Sequence, residues 1–561
     1  MQVNNVVIIG GGSAGWMTCA AILKLCPWIN VVLVESDKKK PVGVGESTLG
    51  QFNKYLFALG LEDSDWMPYC NATYKNSIQF TNFKEKGHTF QYPFGVNNID
   101  SVEQFFDLQR EMPDKWTGDM FAKYMNPENC AMVEHNKEWF NTQTPEGYTN
   151  WESFNPDVDR AYHLDAEKFG EFLRDRICYP WADQGRFTHV VGEVRGMVKD
   201  IAKGGSPSAS NRTINQLGVR LTEDKKTIGV VGDLYIDCTG FHAALIEGLM
   251  GSYFHPFKDR LANDKALFAR VPYNNQEHRE KWMHNVTDCE GADNGWMWTI
   301  PLWDRIGAGY CWSSRFAMES EARGEFEQWL ETKFDCDLDE VEINSIDIKH
   351  GYRQNAWVLN VVAIGLSYGF VEPLESTSLL STHENILRLV DTLKRRDGYI
   401  TNIERQWFNY QAQREMIGFS KFVSMHYALS KRTDNPYWKW CTQRAEYMNE
   451  GDFGNIQTVD NYERVGSSLD LNTPLDDGLG GMNYVQAGMG MKLGSRFYSS
   501  NVKFKGEELY KEQSETLKNV DVDKSNYLEA VDKFVQSDDC PSHYQYLLDN
   551  VYGGVDDVEF T

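Results

Sequence analysis

The hexapeptide GGGSAG at residues 10–15 places Gly10, Gly12 and Gly15 in a GxGxxG pattern, directly between an apolar β-branched run and a stretch with helical spacing. Residues 6–9 read as a buried strand ending in glycine, residues 15–26 as a helix stopped by Pro27, and residues 31–34 as a second strand ending at Glu35. The first 35 residues therefore predict the βαβ unit of a dinucleotide-binding fold. The glycines permit a tight turn and close backbone approach to a pyrophosphate. The helix start near Ser13 and Ala14 supplies N–H groups, and Glu35 accepts hydrogen bonds from a ribose. These features alone do not distinguish FAD from NAD.

At 561 residues, with 41% hydrophobic and 24% charged residues, the chain has the make-up of a globular protein. No apolar run approaches the roughly 20 residues that cross a bilayer, and no targeting segment precedes the first strand, so a cytoplasmic protein without a membrane partner is expected. A formal charge of −25 would repel a polyanion, which excludes nucleic acid as a partner. The 11 cysteines show no CxxC pair, and their odd count argues against a disulfide framework; they are expected as reduced, mostly buried thiols.

Residues 81–180 are aromatic and irregular until helical periodicity returns over 161–177. Residues 187–194 and 227–236 read as strands, with a Gly/Ser/Pro turn at 203–211 between them. Residues 383–395 and 403–430 carry apolar residues at three- and four-residue steps and predict helices. The acidic stretch 520–539 reads as partly helical, either a docked tail or a mobile one.

Four further segments, YK at 74–75, DLYIDCTGFHAALI at 233–246, GWMWTIP at 295–301 and GFVEPLESTS at 369–378, follow the glycine motif in order. With PVGVGESTLG at 41–50 and RIGAGYCWSS at 305–314, the sequence resembles the flavin-dependent, tryptophan-type halogenases along most of residues 1–430. The resemblance implies an α/β fold: an FAD-binding Rossmann-like module of the glutathione-reductase type over 1–385, interrupted by a substrate-facing insertion near 81–180, and a mainly helical substrate module over 386–561. It also implies FAD as cofactor, used as FADH2 with O2 and halide, and a separate reductase that supplies the reduced flavin. A homodimer stays open, with no interface readable from the sequence.

By the same resemblance, Ser47, Val194, Leu366 and Leu379 join Gly10, Gly12, Ser13, Ala14, Gly15 and Glu35 as flavin contacts. Lys75 falls at the lysine that stands between flavin and substrate. In the implied chemistry a flavin C4a-hydroperoxide oxidises halide, and Lys75 passes the hypohalous acid on, either as an ammonium donor or as a haloamine. An unperturbed lysine titrates near pH 10.4, so the nucleophilic route needs desolvation or a nearby cation, whereas hydrogen bonding does not. Glu375 falls at the glutamate beside the halogenated carbon, where it raises the electrophilicity of the halogen or takes the ring proton. Thr377 and Ser378 fall where backbone N–H groups hold halide. Ser378 stands where tryptophan halogenases commonly have glycine, which leaves bromide and iodide open beside chloride.

Trp296 and Trp298, two apart on a predicted strand, face one side and match the wall that keeps substrate off the flavin. Tyr92 replaces a histidine of the family's FYHPF segment. The residues that clamp the amino-acid group of free tryptophan have no match here. An indole, a phenol or a similar electron-rich aromatic is therefore expected as substrate. Two other readings remain: a flavin-dependent aromatic monooxygenase, and a flavin-binding regulator without chemistry.

Overall fold

The strand Asn5–Ile9 (β1), the helix Ser13–Leu25 (α1) and the strand Asn30–Glu35 (β2) form a parallel βαβ unit, with Val6 opposite Val31 and Ile8 opposite Leu33. Val6, Val7 and Ile8 are fully buried, as a continuous apolar strand in a parallel sheet covered on both faces requires. Helix α1 ends at Leu25, with Cys26, the residue before Pro27, as its C-cap. The computed structural model describes residues 1–37, 45–95, 99–139, 154–201, 212–449, 484–485, 487–490, 496–556 and 558. The turn expected over 203–211, and residues 41–44 of PVGVGESTLG, lie outside the described residues.

The chain forms two compact units, each assembled from three segments: residues 1–72, 164–258 and 349–417 in the first, and 73–163, 259–348 and 418–561 in the second. The sequence expectation was a 1–385 module interrupted near 81–180 and a 386–561 module; the second unit takes up residues 73–163 and, in addition, 259–348. The reason is sheet pairing: strands within 259–348 hydrogen-bond to strands between residues 77 and 93, far back in the chain.

In the first unit an eight-stranded sheet has β1 and β2 at its centre. Leu234–Asp237 and Val361–Ala363 continue it in parallel on one side, and Phe187–Ile201 pairs in parallel with β2 on the other. Arg212–Leu221 and Thr227–Val230 extend that side as antiparallel strands.

In the second unit a seven-stranded sheet runs in the order Ile343–Asp347, Lys265–Pro272, Arg305–Trp312, Gly295–Pro301, Val286–Gly291, Ser77–Thr81, Thr89–Pro93. Thr73–Lys75 (β3) precedes Ser77–Thr81 (β4) and Thr89–Pro93 (β5). Helix α2 (Pro127–Glu134) follows them, and the strand Ala161–Leu164 (β6) pairs antiparallel with β3. Residues 161–164 were expected to be helical. They are wholly buried and 161–163 are matched residue by residue to β3, so the helix begins only at Ala166, where Asp165 caps it by accepting from Glu167 N and Lys168 N.

The acidic C-terminal stretch is docked on its own unit. Helix Arg496–Val535 is tied by Trp116 Nε1 donating to Asp521 Oδ1 at 2.7 Å and by His135 Nε2 at 2.8 Å from Asp532 Oδ1. All eleven cysteines are buried thiols outside any disulfide. Among the described residues no helix is long and apolar enough to cross a membrane.

Candidate active site

The glycine motif sits between β1 and α1 as the sequence requires. Gly10 has φ +112°, and a Cβ there would lie 2.2 Å from the carbonyl oxygen of Cys238, while a Cβ on Gly15 would lie 1.9 Å from that of Gly10. These two glycines serve the packing of the turn against its neighbours. Gly12 is different: it is exposed, and beyond its chain neighbours no protein atom lies within 4 Å of where its Cβ would be. It is the N-cap of α1, without a side-chain capping bond or an acidic residue in the first turn. The first amides of α1 therefore point to the open side of the turn at the positive end of the helix, the arrangement that receives a pyrophosphate.

Ser13 and Ala14 open α1, with Ser13 Oγ donating to Ala166 O at 3.0 Å. Glu35 ends β2, and one of its carboxylate oxygens is 2.9 Å from His189 Nε2. These residues fit the pyrophosphate and ribose of a flavin dinucleotide. In the same unit, Asp237 accepts from the backbone N–H groups of Leu245 and Ile246, both at 2.8 Å, and fixes the turn of the 233–246 segment.

Leu366 lies in the short turn Gly365–Ser367 and is half-buried, and Leu379 is buried in the first turn of helix Thr377–Lys394. Val194 lies on strand Phe187–Ile201, three residues beyond the last position paired with β2 and beside a β-bulge.

Glu375 closes the 3₁₀ turn Pro373–Glu375 and is fully buried. Ser376 follows in a left-handed conformation, φ +56°, which an L residue adopts at a cost of roughly 1 kcal/mol or more. Its hydroxyl does not cap the helix that starts at Thr377; it donates to Ser47 Oγ at 3.0 Å. The first amides of helix Thr377–Lys394, those of Thr377 and Ser378 included, thus receive neither a capping side chain nor an acidic residue in the first turn. They make an electropositive helix start suited to a small anion.

Glu46, next to Ser47, keeps part of its surface in solvent, yet burial of its carboxyl, then the charge of Asp165, push it up to about 7.

In the second unit, β3 buries Thr73, Tyr74 and Lys75 together. Lys75 is 0% exposed, which few lysines tolerate, and its ammonium lies 5.0 Å from the centre of the Phe94 ring. His163, across the β3–β6 ladder from Thr73, is held well below the usual histidine range by burial, then by the charge of Lys75. Its ring nitrogens meet Thr73 Oγ1 at 3.4 Å and Thr287 Oγ1 at 2.8 Å.

Trp296 and Trp298 share one face of strand Gly295–Pro301 (β7), with ring centres 5.7 Å apart. Trp296 is buried. Trp298 lies over Gly309, where a Cβ would come within 2.0 Å of the indole. Tyr92 on β5 is half-buried, stacked on Tyr484 at 5.4 Å and edge-on to Phe94 at 5.7 Å.

Within the first unit, then, Glu35 joins the glycine turn, and Glu375 joins Ser47 and the start of helix Thr377–Lys394. Within the second, Lys75, Phe94 and Tyr92 form one contact chain. Sequence reading did not single out Phe94 or His163. Phe94 carried a signal, since it closes the FQYPF segment; His163 lay inside a stretch read as helix.

An open, uncapped glycine turn between a parallel strand and its helix defines a dinucleotide-binding protein. The sequence profile of the tryptophan halogenase family matches residues 5–451. The chain belongs to that family and is a flavin-dependent halogenase. It is 32% identical over 472 residues to the tryptophan 6-halogenase SttH of Streptomyces toxytricini, covering 79% of this chain and 81% of that protein. It is also 28% identical to the tryptophan 7-halogenase RebH of Lentzea aerocolonigenes, over 78% of each chain. Among solved structures, apo VirX1 matches with a TM-score of 0.82 and 41% identity, over 99% of this chain and 100% of that one.

Proposed function

We propose that this enzyme uses FADH2, O2 and halide to halogenate an electron-rich aromatic, an indole, a phenol or a similar ring, with a separate reductase supplying the reduced flavin. When bound, the reduced flavin with O2 supplies the oxidising equivalent that turns halide into hypohalous acid. The chain's own residues do the rest. The amides of Thr377 and Ser378 hold the halide. Lys75 Nζ either donates a hydrogen bond to the oxygen of the hypohalous acid or, as a free amine, exchanges a proton for the halogen and releases water. The halogen passes to a ring carbon, and the proton that this carbon loses goes to a Glu375 carboxylate oxygen. Trp296 and Trp298 wall the substrate from the flavin.

The observation that carries this reading is the burial of Lys75. An amine wholly out of solvent, over an aromatic face and beside a histidine held neutral, has no role in solubility, which supports its use toward a neutral oxidant. Tyr92, where tryptophan halogenases have histidine, and the missing clamp for an amino-acid group support indoles and phenols over strict free tryptophan. Ser378 in place of glycine keeps bromide and iodide beside chloride.

The test supplies FAD, an external reductase, NADH, O2 and bromide with a phenol, and reads product mass. A product in which bromine replaces one ring hydrogen is expected. An added oxygen without bromine establishes a monooxygenase instead, and no product across halides and aromatics overturns the assignment. A kcat/KM for free tryptophan far above that for indole overturns the substrate choice alone.

A further inference from the structure

Beneath β3 lies a buried polar cluster that the reaction proposed above does not use. Asn129, on α2, places its Nδ2 2.6 Å from the carbonyl oxygen of Asn76 and 2.8 Å from that of Phe94, and donates to both. Two carbonyl acceptors admit only the NH2 end of the amide, so its orientation is settled by chemistry. Asn76 follows Lys75 directly, and Phe94 carries the ring beneath the ammonium; Phe94 N also donates to Asn76 O at 2.9 Å.

Asn76 is held from its other side as well. Its Nδ2 donates to Glu138 Oε2 at 2.9 Å, its backbone N–H donates to Asn285 O at 2.7 Å, and Glu138 Oε1 accepts from Arg160 at 2.7 Å. Asn76, Asn129 and Glu138 are 0% exposed and Arg160 2%. Arg160 immediately precedes Ala161, the residue paired with Lys75 across the ladder.

We propose that Asn129 is a positioning residue for halogen transfer: by holding the carbonyls of Asn76 and Phe94 on one amide, it sets where the Lys75 amine stands over the Phe94 ring. The inference rests on the role proposed for Lys75. Glu138 and Arg160 anchor the same strand, but breaking a buried ion pair is strongly destabilising and would confuse geometry with folding. Asn129 is the position to test. Its loss leaves the Glu138–Arg160 pair in place and removes one tie from the strand carrying the amine.

The experiment uses full-length, FAD-loaded enzyme with reductase, NADH, O2, catalase, bromide and a phenol, and an excess of a β-diketone that traps escaped hypobromous acid. The quantity read is the ratio of ring-bound bromine to trapped bromine. An inactive fraction leaves this ratio unchanged, so a role in folding alone does not move it. Asn129→Ala is expected to lower the ratio about tenfold, with kcat falling and the phenol KM within about twofold, because a small misplacement of a transfer group is costly. Asn129→Ser keeps one donor and is expected to fall between, and it decides the matter if the alanine variant does not fold.

Lys75→Ala, run alongside, separates two failures. If it abolishes ring bromination while the folded Asn129 variants keep the wild-type ratio, the positioning inference alone is overturned. If it brominates like wild type, the role of Lys75 falls, and the inference with it. If neither Asn129 variant folds, Asn129 serves the fold and the inference is overturned.

Discussion

The flavin end of the first unit and the lysine end of the second are built by different means. Around Gly10–Gly15 and Thr377–Ser378 the atoms proposed to bind are backbone amides at two helix starts without a capping side chain. Around Lys75 they are side chains, held by buried groups drawn from residues 73–76, 94, 129, 138 and 160–163. A backbone device is written locally, in a motif of a few residues. A side-chain device is written across the whole chain. Chemistry that binds therefore sits in short words, and chemistry that transfers sits in packing.

This contrast makes graded predictions. The largest effect belongs to the side-chain end: Lys75→Ala is expected to lower halogenation by about 10³-fold, the scale of removing one donor aimed at a reacting atom, while the FAD dissociation constant is unchanged in a flavin titration. A loss of FAD binding of similar size would erase the distinction between the two ends. Glu375→Gln keeps the shape of the carboxyl but not its basicity. It is expected to lower kcat by about 10²-fold with KM for the aromatic little changed, measured under saturating reduced flavin.

The backbone end divides into glycines that pack and one that faces outward. Gly12→Ala meets no protein atom beyond its chain neighbours, so it should leave the melting temperature in place yet weaken FAD by about tenfold, or 1.4 kcal/mol. Gly10→Ala forces a methyl group onto the Cys238 carbonyl from a left-handed backbone, and should lower the melting temperature by about 5 °C before any ligand is added. Equal behaviour of the two variants would show that the turn is packing throughout.

The smallest effect concerns Glu46. Its carboxyl titrates near 4.5 in the unfolded chain and near 7 in the folded one. The folded state thus favours the protonated form; the stability this gives is complete below pH 4.5 and is lost as pH rises through 7. Glu46→Gln stays neutral, so the wild-type melting temperature should fall relative to this variant between pH 5 and 8, by about 2 °C or more in parallel melts.

The same division explains what the sequence disclosed. β1, α1 and β2 were legible to within a residue or two because a buried parallel strand is a continuous apolar run and a proline marks the helix end. Helix Asn402–Ala428 was legible from its three- and four-residue steps. Residues 161–164 were not, since their apolar spacing suits a helix as well as a strand, and only pairing with β3 decides. The place of residues 259–348 was not legible for a like reason: the parallel pairing of Val286–Gly291 with β4 joins residues about 209 positions apart, and no local pattern records it. Lys75 could be named from its motif, but not the ring beneath it or the amide that fastens both, because a hydrogen bond from Asn129 to two distant carbonyls leaves no periodic trace.

The interior placement of all eleven thiols acquires a meaning in a halogenase. Sulfhydryls are among the side chains that hypohalous acids consume most readily, and a catalyst generating such a reagent for many cycles would otherwise accumulate sulfonic acids. With every sulfhydryl inside, escaping halogen meets outward groups first, Met318 at 65% exposure and Trp407 at 55% among them. Ageing under turnover should then be inscribed as methionine sulfoxide and halogenated indole on the periphery, and the catalyst would wear from its skin inward.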